Sequence, residues 1–307
     1  MLPLPKLGVG LAFQTPLRGL IERPAGAFDM VEVVPDILWT DLGLGHEPRY
    51  LDDTEHVAWL DGIARGMPVI PHGIGLSIGS AAHFDPQHLQ QLRRWHQRLR
   101  FPWHSDHLAF HVADHRGQAV NVGITLPLPR DLATIDLIRP RVRQVQAAVP
   151  VPFLLENNVW YFDIPEAEMD EADFLNTLCE RCGCGLLLDL HNVHTNAVNH
   201  GFDARAFVDA LDLNNVGEIH VAGGMMLDGV YLDAHSDAVP DEVWALLEYT
   251  LPRCPNVGAV VFELFGSWFD VVGEARVRAD LRRMKRLWQS CQPQPAITCE
   301  LDFKVAA

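Results

Sequence analysis

Short apolar runs rich in β-branched residues recur along the chain, and each is followed by a longer stretch with helical spacing. The runs "LGVGLAF" (7–13), "MVEVVP" (30–35), "PVIPHGI" (68–74), "WHSDHLAF" (103–110), "PFLLENN" (152–158), "GLLLDLHN" (185–192), "VGEIHVAG" (216–223) and "GAVVFEL" (258–264) predict eight strands. Helices are expected over 53–66, 87–100, 130–148, 168–182, 203–213, 240–252 and 272–289, with "LRRWHQRLR" and "VRADLRRMKRLW" showing apolar residues three and four apart. Pro and Gly punctuate strand starts, as in "MPVIP" and "VPVPF". Strands alternating with helices imply parallel pairing through right-handed crossovers. Eight such units fit one closed α/β barrel, a (β/α)8 TIM barrel, better than an open sheet. The expected organisation is one barrel domain over 1–291 and a short tail over 292–307, with no linker or second domain.

Composition narrows the classes. The 307 residues are 48% hydrophobic, enough for a large core, and Lys+Arg 24 against Asp+Glu 40 gives a net charge of −16. A body this acidic repels phosphate backbones, which argues against nucleic acid as a partner. Six cysteines in a chain of this length do not form a disulfide framework. "CERCGC" (179–184) closes a helix and enters the sixth strand, where its cysteines are expected to pack. The apolar runs fall short of the roughly 20 residues that span a bilayer, and the chain does not open on a signal-peptide pattern. A cytoplasmic protein with no membrane partner is expected.

The strand ends change this picture. From the third strand to the eighth, each carries metal-capable residues at or just beyond its C-terminal end. They are His72; His104, Asp106 and His107; Glu156 with Asn157 and Asn158; Asp189, His191 and Asn192; His220, followed by Asp233 and His235; and Glu263. In a barrel these ends converge on one mouth. Burying so many acids and imidazoles without cations or mutual pairing would cost several kcal/mol each. The donors are nitrogen and oxygen without thiolate, which suits Fe, Mn or Zn. Their number exceeds what one ion needs, so two or three ions are expected.

The series His72, "SDH" (105–107), "EN" (156–157), "DLHN" (189–192), His220, "DAH" (233–235) and Glu263 resembles the multinuclear non-haem iron-dependent oxidases, including those of methanobactin and 3-thiaglutamate biosynthesis. The likeness runs over roughly residues 7–270. It implies a barrel like those of xylose isomerase and endonuclease IV, with two or three iron ions of mixed Fe(II)/Fe(III) valence and O2 as co-substrate. It further implies that His72 and His107 hold one ion and share Glu156 with a second. Asp189, His220 and Glu263 would complete the second, and Asn192, Asp233 and His235 would hold a third. The implied reaction is oxidation of a residue, cysteine above all, in a ribosomally made precursor peptide, alongside a partner protein that recognises the leader. The chain departs from the family pattern at His191 and His194. With Asp106 these are the catalytic candidates, expected to act by hydrogen-bonding and orienting the ligands. The alternative activity is that of a divalent-metal (zinc) hydrolase or phosphodiesterase of the endonuclease IV type. The acidic chain and the absence of a basic stripe count against DNA as its substrate.

Overall fold

A computed structural model describes residues 4–162, 164 and 167–291, so the expected tail, 292–307, and Cys299 within it lie outside the described residues. Eight parallel strands close a barrel: β1 (Gly8–Ala12), β2 (Met30–Val33), β3 (Val69–Gly73), β4 (His104–His107), β5 (Phe153–Glu156), β6 (Gly185–Asp189), β7 (Val216–Val221) and β8 (Ala259–Phe262). Each strand pairs with the next in sequence, and β8 pairs back onto β1. The principal helices are α1 (Thr54–Ala64), α2 (Pro86–Leu99), α3 (Leu132–Ala148), α4 (Glu171–Cys182), α5 (Leu190–His200), α6 (Ala204–Ala210), α7 (Asp241–Thr250) and α8 (Glu274–Cys291). No helix among the described residues is long and apolar enough to cross a membrane.

Local chemistry starts most of these helices. Asp53, Asp85, Asp131, Asp170 and Asp203 each accept backbone N–H bonds as N-caps. Gly183 ends α4 in the left-handed conformation, and Cys179, Cys182 and Cys184 are buried on either side of it, as packing residues.

Two packing zones follow from the period of two along each strand. Residues such as Leu11, Val31, Phe153, Leu155, Leu188 and Ile219 face the helices in the main core. Met30, Ile70, Trp103, Leu154, Leu187 and Val261 turn inward and fill the lower barrel. Gly10 on β1 leaves room for them, since a Cβ there would meet the Met30 and Val261 side chains at 2.8 and 3.0 Å.

Three features depart from the pattern read in the sequence. The sixth strand ends at Asp189, and α5 begins at once, so His191, Asn192 and His194 are helical. The loop after β4 is a hairpin, Phe110–His115 with Gln118–Leu126, turning at Arg116–Gly117. The segment after β7 is the hairpin Met225–Leu227 with Val230–Leu232, turning at Asp228–Gly229. Both turns place two residues at positive φ (56° and 81°; 50° and 84°), the type I′ geometry that suits the strand twist. Replacing Gly117 with alanine is expected to cost about 1 kcal/mol, because the residue must stay left-handed. A drop of a few degrees or less in the thermal midpoint, with the barrel's far-UV spectrum unchanged, is the expected readout.

Candidate metal centre at the barrel mouth

The inward positions continue upward from the apolar floor. Two residues beyond Met30, Ile70, Leu154, Leu187 and Val261 stand Glu32, His72, Glu156, Asp189 and Glu263, and Trp103 is followed inward by Ser105 and His107. On β7 the inward pair is Glu218 and His220. A buried polar storey thus sits on a buried apolar one.

On one side of this storey, Glu156 Oε2 lies 3.2 Å from His72 Nε2 and 3.5 Å from His107 Nε2. The same oxygen has no partner in hydrogen-bonding geometry. The two nitrogens and the oxygen converge as donors do around a shared cation. The outer ring nitrogens set the tautomers of the neutral rings. Ser105 Oγ gives its proton to the Pro71 carbonyl (3.2 Å) and so accepts from His72 Nδ1 (3.0 Å). His107 Nδ1 donates to the Gly73 carbonyl (3.0 Å). In the neutral form that ligates a metal, both Nε2 lone pairs would face Glu156.

His220 is held the other way round. Its Nε2 faces Glu32 Oε2 at 3.1 Å, with Glu218 behind at 3.8 Å. Glu218 is itself fixed by the Trp103 indole N–H (2.9 Å). His220 Nδ1 therefore looks into the barrel, 3.0 Å from Glu263 Oε2 and 3.8 Å from Glu156 Oε1. Glu32 and Glu218 complete a carboxylate–histidine arrangement that orients the ligating nitrogen. Neither is among the residues expected from the sequence, where a lone acid inside an apolar strand draws no notice. The inward register, two residues after Met30 and two before His220, is the signal that would have found them.

The opposite side is built from β6, α5 and the segment after β7. Asp189 ends β6 and caps α5, taking the Asn192 N–H on Oδ1 (2.8 Å) and leaving Oδ2 buried without a partner. Asn157 and Asp189 bond reciprocally through the Asn157 amide and the Asp189 main chain (3.0 and 2.8 Å). The Asn192 amide donates to the Asn157 carbonyl (3.0 Å), which fixes its orientation and leaves Oδ1 buried and unpartnered. Asp233 Oδ1 receives His235 Nε2 at 2.8 Å and His191 Nδ1 at 3.0 Å. His235 sits at φ 43°, a left-handed conformation that costs a β-carbon-bearing residue about 1–2 kcal/mol. The Phe265 N–H on its carbonyl (2.9 Å) holds it there.

Donor atoms within 4.8 Å of one another form five overlapping groups among the described residues: His72–His107–Glu156, Glu156–Asp189–His220, Glu32–His220–Glu263, Asp189–His235–Glu263 and His191–Asp233–His235. All nine residues expected as ligands come together at the mouth. Glu156 belongs to two groups, and so does Asp189, which links the His220 side to the His235 side. The unpartnered buried atoms Glu156 Oε2, Asp189 Oδ2, Asn192 Oδ1 and His220 Nδ1 fit a set of cations. His191 stands in a donor group with Asp233 and His235, its Nδ1 3.0 Å from Asp233 Oδ1. The structure does not bring Asp106 or His194 to the cavity. Asp106 lies on the opposite face of β4 from His107, close behind Gly73. His194 packs edge-on against Tyr231.

The charges are mutually adjusted. Burial alone would lower the His72 imidazole, but the Glu156 charge and contact, with Glu32 beyond, raise it to about 9. Burial likewise opposes the His235 proton, and Asp233 and Glu263 overcome it, raising the ring to about 10. Burial would raise Glu263 and Asp233, yet His220 and His235 hold the first below the carboxylate range and His235 and His191 the second. Asp189 goes the other way, pushed well up by burial and by Glu156, Asp233 and Glu263.

The sign of the resulting pH dependence is clear. An imidazole raised above its ordinary 6.5 stabilises the fold fully below pH 6.5, and that contribution is lost as pH rises through 9 to 10. Metal-free protein is therefore expected to lose up to about 1.4 kcal/mol per pH unit per imidazole over that window. Metal-loaded protein should not, because a ligating ring is already neutral. Chemical denaturation of the two forms between pH 6 and 10 checks this.

Above the donors opens a cavity of about 470 Å³, with Glu32, His72, His107, Glu156, Asn192 and Asp233 among its lining residues. Phe265 lines it as a wall, whereas Trp268 and Phe269 pack on the core.

Comparison with known proteins bears on fold and family separately. A family profile described as "RiPP precursor modification enzyme MbnB/TglH/ChrH" matches residues 8–285. A UPF0276 protein of Chromobacterium violaceum is 36% identical over 225 residues, 73% of this chain and 79% of that protein. A UPF0276 protein of Acinetobacter baylyi is 30% identical over 284 residues, 92% of each chain. Among solved structures, endonuclease IV of Thermus thermophilus superposes with a TM-score of 0.53 at 16% identity, covering 93% of this chain and 99% of its own. A xylose isomerase-like TIM barrel protein of Mycobacterium smegmatis, in complex with magnesium, gives 0.55 at 12% identity, covering 94% and 97%. These structural likenesses establish the xylose isomerase-like barrel and nothing finer.

Proposed function

The chain belongs to the MbnB/TglH/ChrH family of RiPP precursor modification enzymes, and from that we propose that it is a multinuclear non-haem iron oxidase acting on a ribosomally synthesised precursor peptide. Cysteine is the residue we assign as its target, with O2 as co-substrate. A leader-recognising partner protein is expected to present the peptide. The observation that carries the reading is the run of overlapping donor groups at the mouth, joined through Glu156 and Asp189.

His72, His107 and Glu156 would hold one ion, Glu156, Asp189, His220 and Glu263 a second, and Asn192, Asp233 and His235 a third. Iron held there would supply the redox chemistry of the oxidation. The chain's own contribution is geometric and electrostatic. Ser105, the Gly73 carbonyl and Glu32 aim three imidazoles; Asn157 aims Asp189 and Asn192; His191 aims Asp233. The apolar upper walls exclude water from the reacting residue. An amide oxygen at Asn192 is a hard, neutral donor, which suits iron better than zinc.

Elemental analysis of anaerobically purified protein tests the reading. Two or three irons per chain, with O2 uptake that requires the precursor peptide encoded beside it, are expected. Zinc alone, with turnover of a phosphodiester, would overturn it in favour of the hydrolase.

A further inference from the structure

The large apolar side chains left exposed among the described residues are not scattered over the surface. All but Val198 on α5 lie in the segments that follow the C-terminal strand ends, among them Ile37 and Leu44 after β2, Val122 and Ile124 after β4, Tyr161 and Phe162 after β5, Met226 and Leu227 after β7, and Phe265 and Val271 after β8. The loops at the other end of the barrel carry none of them. Such one-sided apolar exposure marks an interaction surface.

Five of these side chains, Ile37, Ile124, Tyr161, Phe162 and Phe265, are also walls of the 470 Å³ cavity. Each is about half exposed, between 47% and 64%, so one part faces the cavity and another faces outward. They come from four separate segments and form an apolar collar above a polar floor. Tyr161 is anchored there by the Asp233 N–H on its hydroxyl (3.0 Å).

The collar's size says what it seats. A 470 Å³ space has a radius of about 5 Å if round. In an extended peptide the side chains two positions either side of a given residue point the same way, at about 6.6 Å from it. A residue lowered to the donors thus places its ±2 neighbours just outside the floor, on the collar, while its ±1 neighbours point away. A second copy of this chain fits poorly, since two concave mouths set face to face leave both cavities unfilled.

We propose that the collar is a subsite for apolar side chains two positions before and two positions after the modified residue, bound as an extended strand. This rests on the reading of the mouth as the place where the peptide reacts, and it adds a substrate class: precursors with Leu, Ile, Val or Phe at ±2.

The test measures binding, not turnover, on metal-loaded protein under nitrogen. The probes are fluorescein-labelled, amide-capped peptides: Ser-Leu-Ser-Cys-Ser-Leu-Ser, its isomer Ser-Ser-Leu-Cys-Leu-Ser-Ser, and a form with serine at every position but the central cysteine. Fluorescence anisotropy should show the first binding about tenfold or more tighter than the third, the gain expected from covering two leucines. The isomer should gain no more than about threefold, because its leucines face away. Ile124→Asp and Phe265→Asp should each erase most of the preference, and Val198→Asp, an exposed position on α5, should leave it intact. Replacing the central cysteine with serine should weaken all three peptides alike and keep their ratio, so failure of the cysteine-oxidase reading is seen separately. Equal binding of the three peptides, or a preference that survives both aspartate variants, overturns the proposal. So does sedimentation showing a dimer that those variants dissociate, which would assign the collar to a second copy.

Discussion

Glu156→Ala is expected to empty two metal positions at once and to reduce peptide-dependent O2 uptake by about 10³-fold or more, the rate equivalent of the several kcal/mol that a bound cation supplies. Glu156 stands in two donor groups, one with His72 and His107 and one with Asp189 and His220. Its Oε2 faces the first pair of imidazoles and its Oε1 faces His220. Removing it leaves His72 and His107 as two neutral donors with no anion, too few for a stable divalent site. On the other side it removes a carboxylate that would offset the charge of an ion held with Asp189 and His220. Metal-to-protein ratios by elemental analysis decide the matter: two ions lost per chain is the expected value, and loss of one would mean that Glu156 serves a single position. Far-UV circular dichroism should show the barrel intact, because the apolar storey beneath, from Met30 to Val261, does not depend on this side chain.

The contrast between what could be read from the sequence and what could not has a physical origin. Most of the strands were legible because a barrel strand is buried on both faces and shows as a short, nearly continuous apolar run, although β4 itself reads His-Ser-Asp-His. The acids and imidazoles that the structure gathers at the mouth stood out in the sequence because such a residue at or after the end of a buried run has no cheap reason to be there. Helix α5 was not legible. Its buried residues include His191, Asn192, Thr195 and Asn196, so polar side chains occupy the face that periodicity expects to be apolar. Those residues are buried because they interlock with the segments after β5 and β7, a tertiary reason that no local pattern carries. The two hairpins were legible in principle, through Asp228–Gly229 above all. Glu32 and Glu218 were hidden differently: each is one acid in an apolar run, and only the closed barrel sets both against the same nitrogen of His220.

The centre also shows where the fold stores conformational cost. His235 is left-handed without being glycine, and it is held between the Phe265 N–H on its own carbonyl and the Ser236 N–H on the Gly223 carbonyl. Gly224 lies nearby, where a Cβ would collide with the Leu232 carbonyl and come within 2.9 Å of His191 Nε2. The segment after β7 is therefore bent by specific contacts into the one shape that presents Asp233 and His235 together. Strain of this kind persists only where the surroundings over-determine it, and here they include the wall residue Phe265. The proposed third metal position and the collar are thus built by the same backbone.

Asn192→Leu is expected to remove a single ion and leave two. The leucine is close to asparagine in shape and keeps α5 in register, but it carries no donor. Its cost to the fold is the lost bond to the Asn157 carbonyl, on the order of 1–3 kcal/mol for a buried group left unsatisfied. Asp189, His220, Glu263, Glu156, His72 and His107 are untouched, so the two positions they serve should stay filled. Activity should still fall by about 10²-fold or more, since a vacated position removes a cation's worth of charge from the cavity. Asn192→Asp should restore the third ion, with an anionic oxygen where the neutral amide stood. The informative opposite outcome is full metal content in Asn192→Leu. His191 shares a donor group with Asp233 and His235, and its Nδ1 is the nitrogen that faces Asp233 Oδ1, at 3.0 Å. Retention of all the ions would therefore make His191 the nitrogen ligand of the third position and reduce Asn192 to a spacer. His191→Ala separates the two arrangements: with Asn192 as ligand it loosens Asp233 but leaves the metal count unchanged, and with His191 as ligand it removes one ion.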